Sequence, residues 1–146
     1  MDPAAVQQAV YTVLVSDTVL IAMLSTAWGV DAVFSDTPQE NADDGAFYPF
    51  VSFGPDITTP FDTKTSAGGI GLVAINAWSR SGDYIEVKNI AARIWLVLHR
   101  TPYTITGADL VSSDMESSAF EMDPDGETRR ARMQLRVTYE TNQNVT

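Results

Sequence analysis

The feature that most constrains the fold is a turn followed by a strict two-residue alternation near the C-terminal end of the chain. The segment Asp123-Pro124-Asp125-Gly126 has the residues of a tight turn. Beyond it, polar positions alternate with apolar ones: Arg130, Arg132, Gln134 and Arg136 against Ala131, Met133, Leu135, Val137 and Tyr139. Because successive side chains of a strand point to opposite faces, the alternation predicts a strand with one buried and one solvated face.

The composition excludes several classes of chemistry. The chain has no cysteine and a single histidine, His99. Thiol nucleophiles and cysteine-ligated zinc therefore lack their residues, and imidazole acid–base catalysis has only one candidate. We interpret the chain as an assembly or binding protein rather than an enzyme, and we expect no catalytic residues, no cofactor and no metal.

Length and hydropathy indicate one domain over residues 1–146. Hydrophobic residues make up 45% of the 146 positions, which fits a single core. No apolar run approaches the ~20 residues of a membrane-crossing helix, and Met1-Asp2-Pro3 lacks the basic start of a secretory signal. We therefore expect a soluble, unexported protein with no membrane partner. The polar residues 142–146 are expected to form a loose tail.

The formal charge of −10 is unevenly distributed along the chain. No basic residue precedes Lys64, whereas nine acidic residues do: Asp2, Asp17, Asp31, Asp36, Glu40, Asp43, Asp44, Asp56 and Asp62. Four of the nine basic residues crowd together near the other end: Arg129, Arg130, Arg132 and Arg136. An acidic protein is repelled by nucleic-acid phosphates, so direct nucleic-acid binding is not expected.

The remaining chain alternates helical and strand patterns. Strands are predicted at 30–34, 47–53, 70–78, 110–122 and 129–141. Residues 3–24 predict two short helices or one broken helix, with Asp17 as the second cap, and residues 81–100 predict a long amphipathic helix. Strands joined by hairpins with helices on one face describe an α+β fold, with a mainly antiparallel sheet of about four to five strands.

Residues 54–69 separate two predicted strands and contain no evident element of their own. Irregular connections longer than ~12–15 residues are usually functional or mobile, so this segment is a candidate docking arm. A hairpin tip without a role is an equal alternative for the free monomer. The docking candidates are Thr58, Thr59, Phe61, Asp62, Lys64 and Thr65.

The arginine face of the last strand has two interpretations. If the last hairpin pairs symmetrically about Asp125, acidic residues Asp114 and Glu116 lie beside Arg132 and Arg136, in cross-strand pairs that each contribute roughly 0.2–1 kcal/mol. Alternatively, the arginines near the turn are less fully paired and meet the acidic first half of a neighbouring copy. Such head-to-tail contacts close into rings when the rotation fits. The candidate interface comprises Arg129, Arg130, Arg132, Arg136, Asp43 and Asp44.

Other clusters are better explained by local structure than by chemistry. Asp43-Asp44-Gly45 and the 123–126 turn gather carboxylates near a glycine, but neither has the ligand spacing of an EF-hand, so turn chemistry is favoured over calcium. His99 is expected to interact with the negative end of the long helix. A pocket that gathered His99 with Asp83 and Glu86 would favour an enzyme.

The order and spacing of these segments resemble the tail terminator or tail completion proteins of long-tailed bacteriophages and gene transfer agents. The resemblance covers most of the chain. It rests on the N-terminal helical unit, Tyr48-Pro49-Phe50-Val51, Asp62-Thr63-Lys64-Thr65, the strand ending Trp78-Ser79-Arg80, the helix after Asp83, and Asp123-Pro124-Asp125-Gly126. The acidic segment 36–46 is longer than the usual link in that family.

The resemblance implies a structural virion protein that forms a six-subunit ring on the head-proximal end of the tail tube. The ring would stop tube polymerisation and offer a docking surface to the head or neck. The implied partners are further copies of the chain, the major tail tube protein and a head-neck connector or stopper protein, in the virion and, during assembly, in the host cytoplasm. DNA would pass through a carboxylate-lined channel without specific binding. Rival interpretations are another neck component, such as a stopper or head-tail joining protein, and an acidic DNA-mimic inhibitor.

Overall fold

One six-stranded sheet with helices on one face makes up the fold. A computed structural model describes residues 3–36, 38, 44–62 and 67–141, the side chains of 61 and 62 excepted. The elements are α1 (Pro3–Ser16), α2 (Thr18–Met23), β1 (Val33–Phe34), β2 (Phe50–Phe53), β3 (Ile57–Asp62), β4 (Ala67–Ser79), α3 (Ile85–Leu98), β5 (Ala108–Met122) and β6 (Arg129–Thr141). A short 3-10 helix, Gly45–Phe47, precedes β2.

Strand β4 is the centre of the sheet. The strand order is β1-β2-β4-β6-β5, and β3 pairs with β4 on the edge that β2 also uses. β1 and β2 are parallel, and every other described pair is antiparallel. The predicted α+β class with a mainly antiparallel sheet is therefore confirmed.

The alternation of the last strand is confirmed by the burial of its side chains. The apolar positions of β6 are all buried, whereas Arg132 and Arg136 are exposed. β4 buries the same face, because Ile75 lies opposite Met133 in the register. Helices α1 and α3 cover this face with the buried side chains Val6, Ala9, Val10, Leu14, Val87, Ile90, Ala91, Ile94 and Leu98.

The connection between residues 54 and 69 is not the irregular arm that the sequence suggested. Ile57–Asp62 forms β3, and the register with β4 runs from the pair Ile57 and Leu72 to the pair Asp62 and Ala67. The expectation of a long structureless segment is therefore wrong, and the sheet has one strand more than the upper end of the predicted range. Pro60 fits an edge strand, where its missing N–H interrupts no interior ladder.

A glycine lets β2 and β3 follow one edge of β4 in succession. The N–H of Gly54 donates to the carbonyl of Ala74 at 2.8 Å. A Cβ at position 54 would lie 3.1 Å from the Cβ of Ala74 and 3.1 Å from the Nδ2 of Asn76. A larger residue would require Ala74 or Asn76 to move by a few tenths of an ångström at the point where β2 ends.

A partly buried ion pair between Asp17 and Arg93 holds α2 against α3. The Oδ2 of Asp17 accepts the N–H of Leu20 at 3.0 Å, which caps α2. Arg93 of α3 donates to Oδ2 at 2.7 Å and to Oδ1 at 2.6 Å. Two helices with Asp17 between them are thus confirmed, and Arg93 of α3 is a structural partner of α2.

None of the helices within the described residues combines the length and the apolar character needed to cross a membrane.

Replacing Asp17 separates its two roles. Asp17→Ala removes the cap and the charge, and the lost cap alone lowers the free energy of unfolding by about 1 kcal/mol. Asp17→Asn keeps a capping oxygen and loses only the charge. Urea unfolding at pH 7 should therefore rank wild type above Asp17→Asn and Asp17→Asn above Asp17→Ala. Glu140→Gln, at an exposed position of β6, is the control and should leave the midpoint unchanged.

The difference in unfolding free energy between wild type and Asp17→Asn should depend on pH. Hydrogen bonds from Arg93 hold the pKa of Asp17 below its usual 3.8. A carboxyl with a depressed pKa contributes stability that is complete above the pKa of the unfolded chain and is lost as the pH falls through the folded pKa. The difference between wild type and Asp17→Asn should therefore shrink below about pH 4. A difference that stays constant down to pH 2 would contradict the assignment.

Candidate functional site

The described residues gather no catalytic constellation. Asp83 and Glu86 lie at the start of α3 and His99 at its end, separated by 14 helical residues or about 20 Å. Each has a local role: Asp83 accepts the N–H of Ile85 at 3.0 Å, Glu86 accepts the hydroxyl of Ser79 at 2.6 Å, and the Nδ1 of His99 accepts the N–H of Met115 at 3.0 Å. His99 thus ties the end of α3 to β5.

The acidic turn at 123–126 is internally satisfied. The Oδ1 of Asp125 accepts the N–H groups of Glu127 and Thr128, each at 2.8 Å, and Oδ2 accepts the Thr128 hydroxyl at 2.6 Å. These bonds, with Arg80 3.4 Å away, lower the pKa of Asp125 from 3.8 to about 2. Turn chemistry accounts for this cluster, and no group of three or more potential ligands in the described ranges is placed to hold a metal ion.

The arginines of the solvated face are paired across the last hairpin. Arg130 donates from Nε to the Oε1 of Glu121 at 3.0 Å and forms a second bond to the same oxygen from Nη2. Arg132 lies 3.8 Å from that carboxylate, and Arg136 lies 3.3 Å from Glu116. The hydrogen bonds and charges of the arginines hold the pKa of Glu121 below its usual 4.5.

The expectation that the arginines nearest the turn are the less paired ones is wrong for Arg130. The turn sets these partners, because pairing starts with Met122 opposite Arg129, whereas a hairpin symmetrical about Asp125 would place Glu121 opposite Arg129. Arg130 lies opposite Glu121, and Arg132 lies opposite Ala119 rather than opposite an acidic residue. The two register shifts in β5, after Leu110 and after Met115, lie farther from the turn and change only the neighbours of residues beyond Gln134.

Arg129 belongs to the other face of the sheet. Its guanidinium carbon lies 5.1 Å from the ring centre of Tyr84, just before α3. The Nε of Arg129 is buried and has no hydrogen-bond partner among the described residues. No ion pair of Arg129 is formed within the described chain, so it differs from the three arginines that follow it.

The remaining candidates are the two acidic interface residues, Asp43 and Asp44, and the docking residues of β3 and the segment that follows it. Asp44 caps the 3-10 helix by accepting the N–H of Ala46 at 2.9 Å, whereas Asp43 lies outside the described residues. In β3, Thr58 is half-buried and Thr59 is exposed, next to Ile57 with 63% exposure. Phe61 and Asp62 are described by their backbone pairing alone, and Lys64 and Thr65 lie outside the described residues.

An aromatic cluster that the sequence analysis missed covers one end of the solvated face. The ring of Trp28 lies 4.7 Å from Phe47, 4.8 Å from Phe34 and 5.9 Å from Phe50, in edge-on arrangements. Its Nε1 donates to the carbonyl of Phe47 at 2.9 Å. The concentration of aromatic residues around a two-residue strand was the available signal. The cluster makes the chain between α2 and β2 part of the packed structure.

A groove of about 820 Å³ lies between α1, α3 and the connection that follows α3. Leu96 lies on it with 65% exposure, and Tyr103 packs beside it with its hydroxyl donated to Ser113 at 2.9 Å. Burial raises the pKa of Tyr103. Among the described residues that line the groove, Asp17 alone carries a charge, and it already binds Arg93. The lining therefore suits contact with another apolar surface better than catalysis.

Known proteins match almost the whole chain. A family model described as "Tail completion protein gp17" matches residues 8–140. The tail completion protein gp17 of Bacillus phage SPP1 is 27% identical over 95 residues, which are 65% of this chain and 70% of that relative. A solved chain of the virion of a native gene transfer agent particle is similar with a TM-score of 0.77 and 25% identity, over 92% of this chain and 93% of that chain.

The turn offers a direct test of its own hydrogen bonding. Thr128→Val removes the hydroxyl that donates to Asp125, so the pKa of Asp125 should rise from about 2 toward its usual 3.8. Side-chain carboxyl titration by NMR measures the shift. Because the folded pKa is the lower one, stability from this carboxyl is complete above about pH 4 and is lost as the pH falls through 2. Thr138→Val, in the same strand away from the turn, is the matched control, and an unchanged pKa in Thr128→Val would contradict the assignment.

Proposed function

Because the chain belongs to the tail completion protein gp17 family, we propose that it forms a six-subunit ring on the head-proximal end of a tail tube. The ring ends tube polymerisation and presents the surface on which the head or neck docks. The family match over residues 8–140 carries the proposal. Membership makes the chain a structural component of a virion tail, a role that needs no catalytic step.

The architecture supplies a rigid body for such a ring. Strand β4 runs unbroken over 13 residues, with β3 and β2 on one edge and β6 on the other. The hairpin formed by β3 and the first half of β4 carries exposed side chains, including Ile57 and Thr59. This hairpin contacts the tube, the neck or the next subunit, in place of the irregular arm that the sequence suggested.

Ring closure depends on the tube as a template. The partners are further copies of the chain, the major tail tube protein and a connector or stopper of the neck. Contacts too weak to hold a ring in solution become sufficient when an existing tube end raises the effective concentration of neighbouring subunits. A monomeric free protein is therefore compatible with a ring in the particle.

Charge favours a channel through which DNA passes without adhering. The chain carries a formal charge of −10, which repels phosphates. The arginines of the solvated face are already paired with Glu116 and Glu121, so they do not form a bare basic row.

Removing the gene distinguishes the terminator from another neck component. Particles made without it should contain unattached tails of irregular, excessive length, because nothing then stops tube polymerisation. Electron microscopy that scores tail length and head attachment measures this, with the intact gene supplied in trans as the control. Tails of normal length without heads would favour a stopper or head-tail joining protein, and wholly normal particles would refute both roles.

A charge placed on β3 tests the docking hairpin. Thr59→Glu adds a carboxylate at an exposed edge position, so the subunit should fold while head-bearing tails decrease at least about tenfold, as expected when a charge is buried unpaired in a contact. Thr26→Glu, exposed and outside both the hairpin and the groove beside α3, is the matched control. Normal particle counts with Thr59→Glu would show that this part of the hairpin makes no essential contact.

A further inference from the structure

Two of the described basic residues have no carboxylate partner. The other six described basic residues form ion pairs: Arg80, Arg93, Arg100, Arg130, Arg132 and Arg136. Lys88 and Arg129 form none within the described chain, and Lys64 lies outside it. In a protein with a net charge of −10, unpaired cations are the exception that needs explanation.

Lys88 and Arg129 lie together against aromatic rings at the flank where α3 meets β5. The Nζ of Lys88 lies 5.8 Å from the ring centre of Tyr84 and 5.4 Å from that of Phe120. The guanidinium of Arg129 lies 5.1 Å from the ring centre of Tyr84. We call these four residues the cation–aromatic flank. Aromatic faces attract cations but do not neutralise them, so the flank keeps its positive charge.

Four carboxylates close in sequence to this flank have partners other than Lys88 and Arg129. Glu121 binds Arg130, Asp125 binds Thr128 and Arg80, Glu86 accepts the hydroxyl of Ser79, and Asp83 accepts the N–H of Ile85. The buried Nε of Arg129 has no acceptor in the described chain. The flank therefore keeps the charges of Lys88 and Arg129, which a group from outside the subunit can approach through the exposed Lys88.

Unpaired acidic residues lie at the opposite edge of the sheet. Asp31 precedes β1, and Asp56 lies between β2 and β3. Both are exposed, and no described cation forms an ion pair with either. Counted along the strand order, β1 lies about four strand spacings, or roughly 19 Å, from β5, and β3 lies about three, or roughly 14 Å. Both distances exceed the ~8 Å screening length at physiological ionic strength, so the two edges do not neutralise each other within one subunit.

We infer that the cation–aromatic flank is a docking surface for a second copy of this chain, which places Asp31 and Asp56 of its β1–β3 edge against Lys88 and Arg129. Such a contact joins one edge of a subunit to the opposite edge of the next, so it is head-to-tail and repeats around a ring. The inference rests on the proposed ring. It assigns the basic side of the contact to Lys88 and Arg129, because Arg130, Arg132 and Arg136 are satisfied within their own subunit.

The chemistry of the flank suits an acidic protein edge. Tyr84 and Phe120 supply apolar area that excludes water on docking, and exclusion of water strengthens the attraction between the cations and incoming carboxylates. The contact should weaken as salt is raised, because part of it is electrostatic. Two cations on one subunit against two carboxylates on the next also fix the register of the neighbours.

Charge reversal at Lys88 tests the inference. Lys88 is exposed in the first turns of α3, where glutamate interacts favourably with the helix dipole, so Lys88→Glu should fold with the unfolding midpoint of wild type. Particles that lack the gene are supplied with each variant, and head-bearing tails are counted by electron microscopy. Lys88→Glu should reduce the count at least about tenfold, because like charges then face each other.

Rescue identifies the partner as a second copy. Combining Lys88→Glu with Asp31→Lys or with Asp56→Lys in the same chain restores opposite charges at every junction, and at least one combination should recover the count to within about twofold of wild type. Arg132→Gln, an exposed arginine with its partner in its own subunit, is the matched control and should assemble normally.

The failure of this inference is distinguishable from failure of the proposed function. If the wild-type gene does not restore tail ends, the proposed function fails. If wild type restores them and Lys88→Glu also does, the flank is not a subunit contact and the inference is overturned. A folded, defective Lys88→Glu variant that neither acid reversal rescues would overturn it as well, since the flank would then face the tube, the neck or DNA.

Discussion

The pairing of β4 on both of its edges is the constraint on which the rest of the structure depends. Its apolar face, with Val73, Ile75 and Ala77, forms the middle of the surface on which the helices pack. One edge is used along its length by β6, and the other is shared by β2 and β3. A strand with neighbours on both sides must send one face into the core, so the register of β4 also decides which face of every other strand meets solvent.

Periodicity made much of this architecture predictable. The alternation of β6, the apolar run of β4 and the helical spacing of α3 are each long enough to identify an element from its own residues. Strand β3 was missed because its identity comes from its partner: threonines and Pro60 show no apolar alternation, and the glycines at 68, 69 and 71 conceal the strand beside them. The backbone ladder with β4, rather than side-chain pattern, defines this strand.

The sequence predicted the sign of the charge in each part of the chain, but not which charged residues form ion pairs with each other. The sequence places acids in its first part and basic residues in the remainder, and the fold keeps Asp31 and Asp56 on one edge. It does not indicate which cations find a carboxylate within the subunit, because that depends on the register of the last hairpin, in which Arg130 lies opposite Glu121 and Arg129 opposite Met122. The aromatic cluster around Trp28 was equally hidden, since its members come from four separate segments.

The unbroken path of β4 also determines how the fold bears mechanical load. A pull on the hairpin formed with β3 acts along the direction of β4, and the hydrogen bonds to β6 lie across that direction from Gly68 to Ser79. Bonds loaded in this way resist together as a set, whereas bonds opened from one end of a ladder fail one at a time. Force applied at the hairpin is thus carried into the centre of the sheet and shared there, and the outer strands β1 and β5 are spared the direct load.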